Sequence, residues 1–346
     1  MNVLLLAGGL GTRLRPLTEN MPKPMAPVAT RPWLEHLLIH FKNQGVRDFV
    51  MAVKHYPEQI REYFGDGSRW GVSVRYAVEQ ELLGTAGAIK NAEPLLDDRF
   101  VAVNADIVHD IRLEPLMDFH DRHGGAVTIG LTEVEDPSHY GVVEQQEDGR
   151  ILRFVEKPRR DEAPSRRINA GIYVMEKHVL RYIPPHREVS IERETFPLLI
   201  ERQVGVYGMV LDGYWMDMGT RERYRKIHWD LLNRKWTLPI AGKEQGSGIW
   251  IGERSRVGRG VMLVPPVLIG EDVEIGDRSV IGPYAVIGDG CVIGRGVRCT
   301  ETILWNRCVI HDAAQLSECI FGHGLELGPR HLLHEAVMNR IGLMQA

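Results

Sequence analysis

Cysteine is scarce. Residues 1–290 contain none, and Cys291, Cys299, Cys308 and Cys319 fall in the last quarter of the 346-residue chain with no Cys-x-x-Cys pair. A disulfide framework and a cysteine zinc site are therefore not expected, and the thiols should be reduced and packed. The fourteen histidines include no His-Glu-x-x-His, the closest approach being His120 with His123, so a structural zinc is not expected either. No apolar run approaches the ~20 residues of a membrane span. The apolar start is short and lacks a charged leader, so it reads as neither signal peptide nor membrane anchor, and a cytoplasmic protein with no membrane partner is expected. Nor is there an excess of positive charge. With 42 Lys and Arg against 46 Asp and Glu, a net charge of -4 and a pI near 6.4, no nucleic-acid surface is expected, and Arg159-Arg160 and Arg166-Arg167 read as solvated loop charges. A core is not lacking, since 44% of the residues are hydrophobic and the length suits two domains.

Glycine is concentrated where the first apolar run, Val3 to Leu6, gives way to Ala7-Gly8-Gly9-Leu10-Gly11-Thr12-Arg13. A buried strand ending in a glycine loop offers unpaired N–H groups to an anion, and its glycines permit positive φ and close backbone approach. Arg13 and Lys23 add a planar fork and a mobile point charge suited to a triphosphate. Two familiar phosphate loops do not fit. No Gly-Lys-Ser/Thr follows, as a P-loop requires. A dinucleotide fingerprint needs a third glycine and an acidic end to the second strand, but Gly11 leads to Leu14 and Phe49–Val53 runs into Lys54.

Strand-like and helix-like segments then alternate. A helix entered near Pro32 carries the stripe Leu34, Leu37, Leu38 and Phe41, and after it come a strand over 47–53, a helix over 57–64, a strand over 72–77, a helix over 85–92 and a strand over 100–103. Such alternation predicts a mostly parallel sheet with ligands at the carboxyl ends of its strands. Asp106 follows the last of these strands, as a turn residue or as a Mg²⁺ ligand over a triphosphate. β-rich stretches follow at 126–131, 141–146 and 151–156, then a helix capped by Ser190, a strand over 206–210 and a helix capped by Thr220. Asp217, between bulky apolar residues, needs a partner or a metal if ionised.

Beyond a polar stretch near 236–247 a six-residue period takes over. Ile251, Val257, Leu263, Ile269, Ile275, Ile281, Ile287 and Ile293 recur in step, with Ser255 to Val297 keeping the same period four positions on and Ile303 and Val309 extending it. Branched residues filling a prism and small residues at its corners make a hexapeptide β-helix. From Gly322 onward Leu332, Leu333, Ala336, Val337 and Ile341 read as an amphipathic segment that caps the open end or joins a partner chain.

Gly-Gly-x-Gly-Thr-Arg-Leu-x-Pro-Leu-Thr with Pro22-Lys23-Pro24-Met25 resembles the signature of the sugar-1-phosphate nucleotidyltransferases. Leu83-Gly84-Thr85-Ala86-Gly87, Glu156-Lys157-Pro158, Asn169-Ala170-Gly171 and Trp215-Met216-Asp217-Met218-Gly219 are similar to its later motifs, in wording closest to the mannose-1-phosphate guanylyltransferase group. The resemblance covers nearly the whole chain. It implies an α/β, Rossmann-like nucleotidyltransferase domain over 1–235, a linker over 236–247, a left-handed parallel β-helix over 248–330 and a tail over 331–346. Implied too are small-molecule substrates, an NTP and a sugar 1-phosphate, joined with loss of pyrophosphate. Leu6, Ala7, Gly8, Gly9, Gly11, Thr12 and Arg13, with Gln80, Gly84 and Thr85, would hold the nucleotide. Gly141, Glu156, Lys157 and Asn169 would hold the sugar phosphate, and Asp106 and Asp217 would bind Mg²⁺. By the same resemblance Arg13, Lys23 and Lys157 would carry the catalytic charge. GTP with mannose 1-phosphate is the implied pair, thymidylyl or uridylyl transfer to glucose 1-phosphate the runner-up. A non-catalytic NDP-sugar sensor stays open, although Arg13, Lys23 and Asp217, whose loss would mark one, are present. The β-helix is expected to join copies into a homo-oligomer, with an acyltransferase based on His311 or His323 as the lesser alternative.

Overall fold

The computed structural model describes residues 1–238, 242–246 and 248–340, so Ile341 and parts of the expected linker and tail lie outside the described residues. Among the described residues no helix is long and apolar enough to cross a membrane. The chain forms two compact units. One contains residues 1–10, 22–24 and 34–217, and the other contains 11–21, 25–33 and everything described from Met218 onward. The segments on either side of Lys23 belong to the second unit together with residues 218–235, so the division does not follow chain order.

In the first unit a nine-stranded sheet is laid down by β1 (Asn2–Leu6), β2 (Asp48–Val53), β3 (Ser73–Val78) and β4 (Arg99–Asn104), then β6 (Val127–Glu133), β7 (Gly141–Gln145), β8 (Ile151–Glu156), β9 (Arg167–Glu176) and β10 (Val206–Val210). The short β5 (Ile107–His109) and β11 (Trp215–Asp217) pair separately. Strand order is β8-β7-β9-β4-β1-β2-β3, with β6 joining β9 and β10. The expected parallel sheet is formed by β4-β1-β2-β3, of which β4, β1 and β2 carry near-continuous apolar runs buried on both faces, while the edge strand β3 alternates buried and exposed residues. β9 enters antiparallel to β4 and β6. α1 (Trp33–Asn43) starts one residue after Pro32 and turns Leu34, Leu37, Leu38 and Phe41 inward, as its stripe predicts. α2 (Pro57–Phe64) and α3 (Gly84–Asn91) also follow the periodicity, and α4 (Leu113–His123) buries Leu113, Leu116 and His120. Ser190 caps a single π-helical turn over Ile191–Thr195 instead of a regular helix, and α5 (Phe196–Glu201) continues from it.

In the second unit Thr220 caps α6 (Arg221–Leu232), its hydroxyl accepting from the Arg223 N–H. Three parallel ladders then build the prism of a β-helix. Residues eighteen apart pair in the early coils, as Ile249 with Val267 and Val267 with Ala285. Later coils pair residues seventeen apart: Val286 with Ile303, Ile303 with Ile320 and Ile320 with Val337. This shortening corrects the sequence register. Ile303 and Val309 keep strict spacing, but the corner positions pass to the fully buried Thr302 and Cys308, because each shortened coil has one five-residue side. It also corrects the end of the prism. The last strands, Leu332–His334 and Val337–Met338, lie beyond residue 330 and add another coil where an amphipathic tail was expected. All four cysteines are free and buried, with the Cys299 thiol pushed up to about 12 by burial. His311 pairs with Glu326 at 2.7 Å on the surface, and His323 lies exposed against Trp305.

Candidate active site

The ends of β1 and β4 bring the first residues together. Ala7 donates its N–H to Ala52 O at 2.8 Å and Ala105 donates to Leu6 O at 3.1 Å, so the glycine loop leaves the sheet beside Asn104-Ala105-Asp106. Gly8 lies close to the Glu79 carboxylate and does not take a positive φ. A Cβ there would stand 2.8 Å from Glu79 Oε1, while one on Gly9 would meet nothing within 4 Å. In this loop the positive φ belongs to Gly11, at 61°, in the second unit. Gly11 O accepts from the Thr18 hydroxyl at 2.7 Å, and the 3-10 turn Thr12–Leu14 that follows exposes Thr12 and Arg13.

Asp106 and Asp217, over a hundred residues apart, converge through β5 and β11. These strands pair antiparallel with Asp217 opposite Ile107, so each aspartate stands at the same end of a two-stranded ladder. Asp110 locks that ladder by accepting from the Tyr214 N–H at 2.7 Å, and the Trp215 indole donates to Ala170 O at 2.9 Å. Lys23 brings its ammonium to both carboxylates, 2.7 Å from Asp106 Oδ2 and 3.5 Å from Asp217 Oδ1. Its side chain is only 5% exposed, so the pairing offsets the cost of burying the charge. Nearby, Asn104 Oδ1 is buried with no hydrogen-bond partner among the described residues. Carboxylate oxygens aimed at one cation position form the donor set of a hard divalent ion, so the residues present fit the metal implied by the sequence.

A bulge in β9 shapes the adjoining wall. Its register against β6 shifts between Asn169 and Tyr173, and Gly171, with φ 73°, sits where a Cβ would stand 2.5 Å from Ile107 and 2.8 Å from Asn104 Nδ2. Asn169 accepts from the Gly171 N–H and donates to the Tyr173 hydroxyl, both at 2.8 Å. Across the ladder Glu156 pairs with Gly141, where a side chain would collide with Phe154. Lys157, in the left-handed region at φ 50°, projects its largely exposed ammonium 3.7 Å from Glu156. Burial, and then the Glu192 carboxylate, hold the Glu156 carboxyl above its ordinary range.

That shift has a consequence for stability. A carboxylate whose folded pKa is raised weakens the fold above that pKa, and the penalty disappears as pH falls below the ordinary glutamate range. Glu156→Gln is therefore expected to raise the melting temperature at pH 7 by about 2 °C, with no gain near pH 4. Paired thermal melts at the two pH values check this, and a gain that persists in acid overturns the assignment.

The remaining turn, residues 79–85, is held from behind. Lys54 donates to Gln80 O, and buried Glu79 accepts from the Leu83 N–H at 3.2 Å while touching the Gly8 position. Gly84 takes φ 67° with Val189 O where a Cβ would be. The Thr85 hydroxyl accepts from the Ile191 N–H at 2.8 Å and donates to Glu192 at 3.1 Å, so it ties the turn to the π-helical segment instead of capping α3. Gln80 is exposed. Sequence reading assigned no role to Glu79, Glu192, Gly171 or Asn104. Only the burial of a charged residue, visible once the fold is known, singles out the first.

Residues 2–234 match the family model "Nucleotidyl transferase", and residues 263–339 match "GMPPB C-terminal domain". A mannose-1-phosphate guanylyltransferase of Mycobacterium tuberculosis is 37% identical over 276 residues, 79% of this chain and 76% of that protein. A mannose-1-phosphate guanyltransferase of Candida albicans is 44% identical over 228 residues, 63% of this chain and 61% of that one. Among solved structures, HddC from Yersinia pseudotuberculosis complexed with GMP-PN superposes with a TM-score of 0.57 at 28% identity, covering 66% of this chain and 98% of that one. Enzymes of the matched family typically use a divalent metal. The motifs, the α/β sheet with its converging carboxylates and these likenesses place the chain in the nucleotidyl transferase family, as an enzyme with a C-terminal β-helix.

Proposed function

We propose that this chain transfers the GMP unit of GTP to mannose 1-phosphate, giving GDP-mannose and pyrophosphate. The observation that carries the reading is the meeting of Lys23, Asp106 and Asp217 at the carboxyl end of the parallel sheet. The guanylyltransferase names of the relatives support the choice of base and sugar. A phosphate oxygen of mannose 1-phosphate bonds to the α-phosphorus, and the bond from that phosphorus to the bridging oxygen breaks. Its electron pair leaves with pyrophosphate, and no enzyme intermediate forms. The protein's work is positioning and charge neutralisation. Lys23 and Arg13 bind the phosphates of GTP, and Lys157 carries the phosphate of the sugar. Glu156 accepts from sugar hydroxyls beside Gly141, and Asn169 contributes the amide hydrogen left after its bond to Tyr173. The exposed Gln80 and the backbone near Gly84 meet the guanine edge, and Leu6 to Gly9 run beside the phosphates. Mg²⁺ held by Asp106 and Asp217 would neutralise charge on the phosphate oxygens.

A matrix of four NTPs against the 1-phosphates of mannose, glucose and N-acetylglucosamine tests the reading. GTP with mannose 1-phosphate is expected to give the highest kcat/KM, by about 10²-fold or more over the glucose epimer, since a buried polar group left without its hydroxyl is costly. A maximum at dTTP or UTP with glucose 1-phosphate would replace the substrates and keep the mechanism. GDP-mannose binding without any turnover would replace the enzyme with a sensor.

A further inference from the structure

One column of the β-helix breaks its own rule next to the signature segment. The inward residues Ile251, Ile269, Ile287, Leu304, Phe321 and Met338 pair coil upon coil. The residue after each is glycine at 252, 270, 288 and 322, and the coil stacked above explains this. A Cβ on Gly252 would stand 2.4 Å from the Gly270 backbone, and one on Gly288 2.6 Å from the Asn306 nitrogen. Two coils carry a large side chain in this column, Trp305 and Asn339, and both bond toward the chain around the signature. The Trp305 indole donates to the Tyr224 hydroxyl at 2.9 Å, and that hydroxyl donates to Pro27 O. Asn339 Nδ2 donates to Pro16 O at 3.2 Å and to Asn20 Oδ1 at 3.1 Å, while its Oδ1 accepts from the Arg340 N–H at 2.7 Å. Asn339 is only 5% exposed, so these bonds are shielded from competing water.

The loop that Asn339 grips is internally knotted. Leu17 N–H donates to Leu14 O, Glu19 N–H to Pro16 O, and the Thr18 hydroxyl to Gly11 O. Fixing Pro16 and Asn20 therefore fixes the path of the chain back to the Thr12–Leu14 turn, which carries Arg13. An aspartate could not donate to Pro16 O and would face Asn20 with a negative charge. An alanine would make neither bond.

We propose that Asn339 is a positioning residue for nucleotide binding, by which the last coil of the β-helix sets the backbone of loop 11–21 and thereby Arg13. The proposal rests on the reading of that loop as the GTP-phosphate loop.

The test uses the full chain. Asn339→Ala is expected to raise KM for GTP about five- to tenfold, the worth of one to two net hydrogen bonds, with KM for mannose 1-phosphate unchanged. Amide exchange of the peptide spanning 11–21 should be faster in the variant without substrates, and the melting temperature lower by no more than about 3 °C. Asn20→Ala, which leaves the β-helix intact, should reproduce the KM split even if Asn339→Ala unravels the last coil. An unchanged KM for GTP in both variants overturns the proposal, as does a rise in both KM values together with a lowered melting temperature. If the unmodified protein shows no turnover with GTP, the GTP reading fails by itself. The exchange contrast then decides the clamp alone, faster exchange supporting it and equal exchange overturning it.

Discussion

Asp217→Asn is expected to lower kcat by about 10³-fold while leaving the melting temperature within about 3 °C of the parent. Asparagine keeps the shape of the side chain and one of its oxygens, so packing against β5 survives. The strand is fixed by its backbone pairing, Trp215 to His109 and Asp217 to Ile107, and by the indole bond to Ala170 O, none of which uses the carboxylate. What disappears is one of the two negative charges that share the Lys23 ammonium. A divalent ion bound by one carboxylate and an amide is held more weakly and less firmly oriented. Its neutralisation of the phosphates would be worth several kcal/mol in the transition state. The position is only 15% exposed, so water replaces the lost charge poorly, whereas the 41% exposed Asp106 should show a similar loss of rate with less effect on folding. Pyrophosphate release at saturating metal, with a thermal melt on the same sample, checks both halves. A kcat within tenfold of the parent removes Asp217 from the site.

The sequence was most informative where one period or one cap decides the outcome. Strand β10 and helix α2 fall on their expected residues because alternation and the Pro57 start leave little choice. The hexad pattern announces the prism for the same reason, since each coil repeats one burial problem. It misled where a coil loses a residue, because a five-residue side moves the inward position from a bulky residue to its neighbour without changing composition. Long-range convergence was less legible. Asp106 and Asp217 meet through two three-residue strands too short to carry a periodicity of their own. Glu192 joins the sugar wall through a π-helical turn that reads as ordinary helix in the sequence. The grip of Asn339 on Pro16 spans nearly the whole chain and has no local signal at all.

Lys23→Met should produce two effects of opposite sign, and their combination identifies the site. Methionine fills much the same space as the lysine stem, so the buried position stays packed. Removal of the ammonium deprives GTP of a phosphate partner, and KM for GTP is expected to rise about 10²-fold. It also leaves Asp106 and Asp217 facing each other without the cation that stands 2.7 Å from one and 3.5 Å from the other. In the metal-free protein that repulsion lowers the melting temperature, because a carboxylate pair in a partly buried setting lacks the screening that water gives at a surface. Divalent metal then acts differently on the two proteins. In the parent an added ion competes with Lys23 for the same oxygens, whereas in the variant that one competitor is gone. The ion therefore binds the variant more tightly and stabilises it more at equal concentration. Melting temperatures titrated with millimolar Mg²⁺ in the absence of substrates should rise further in Lys23→Met than in the parent. The extra rise should vanish in the Lys23→Met, Asp217→Asn double variant, which no longer offers two charges to the ion. Equal metal-dependent shifts in parent and Lys23→Met would mean that the ammonium and the metal do not share a position, and the two-aspartate metal site would have to be abandoned.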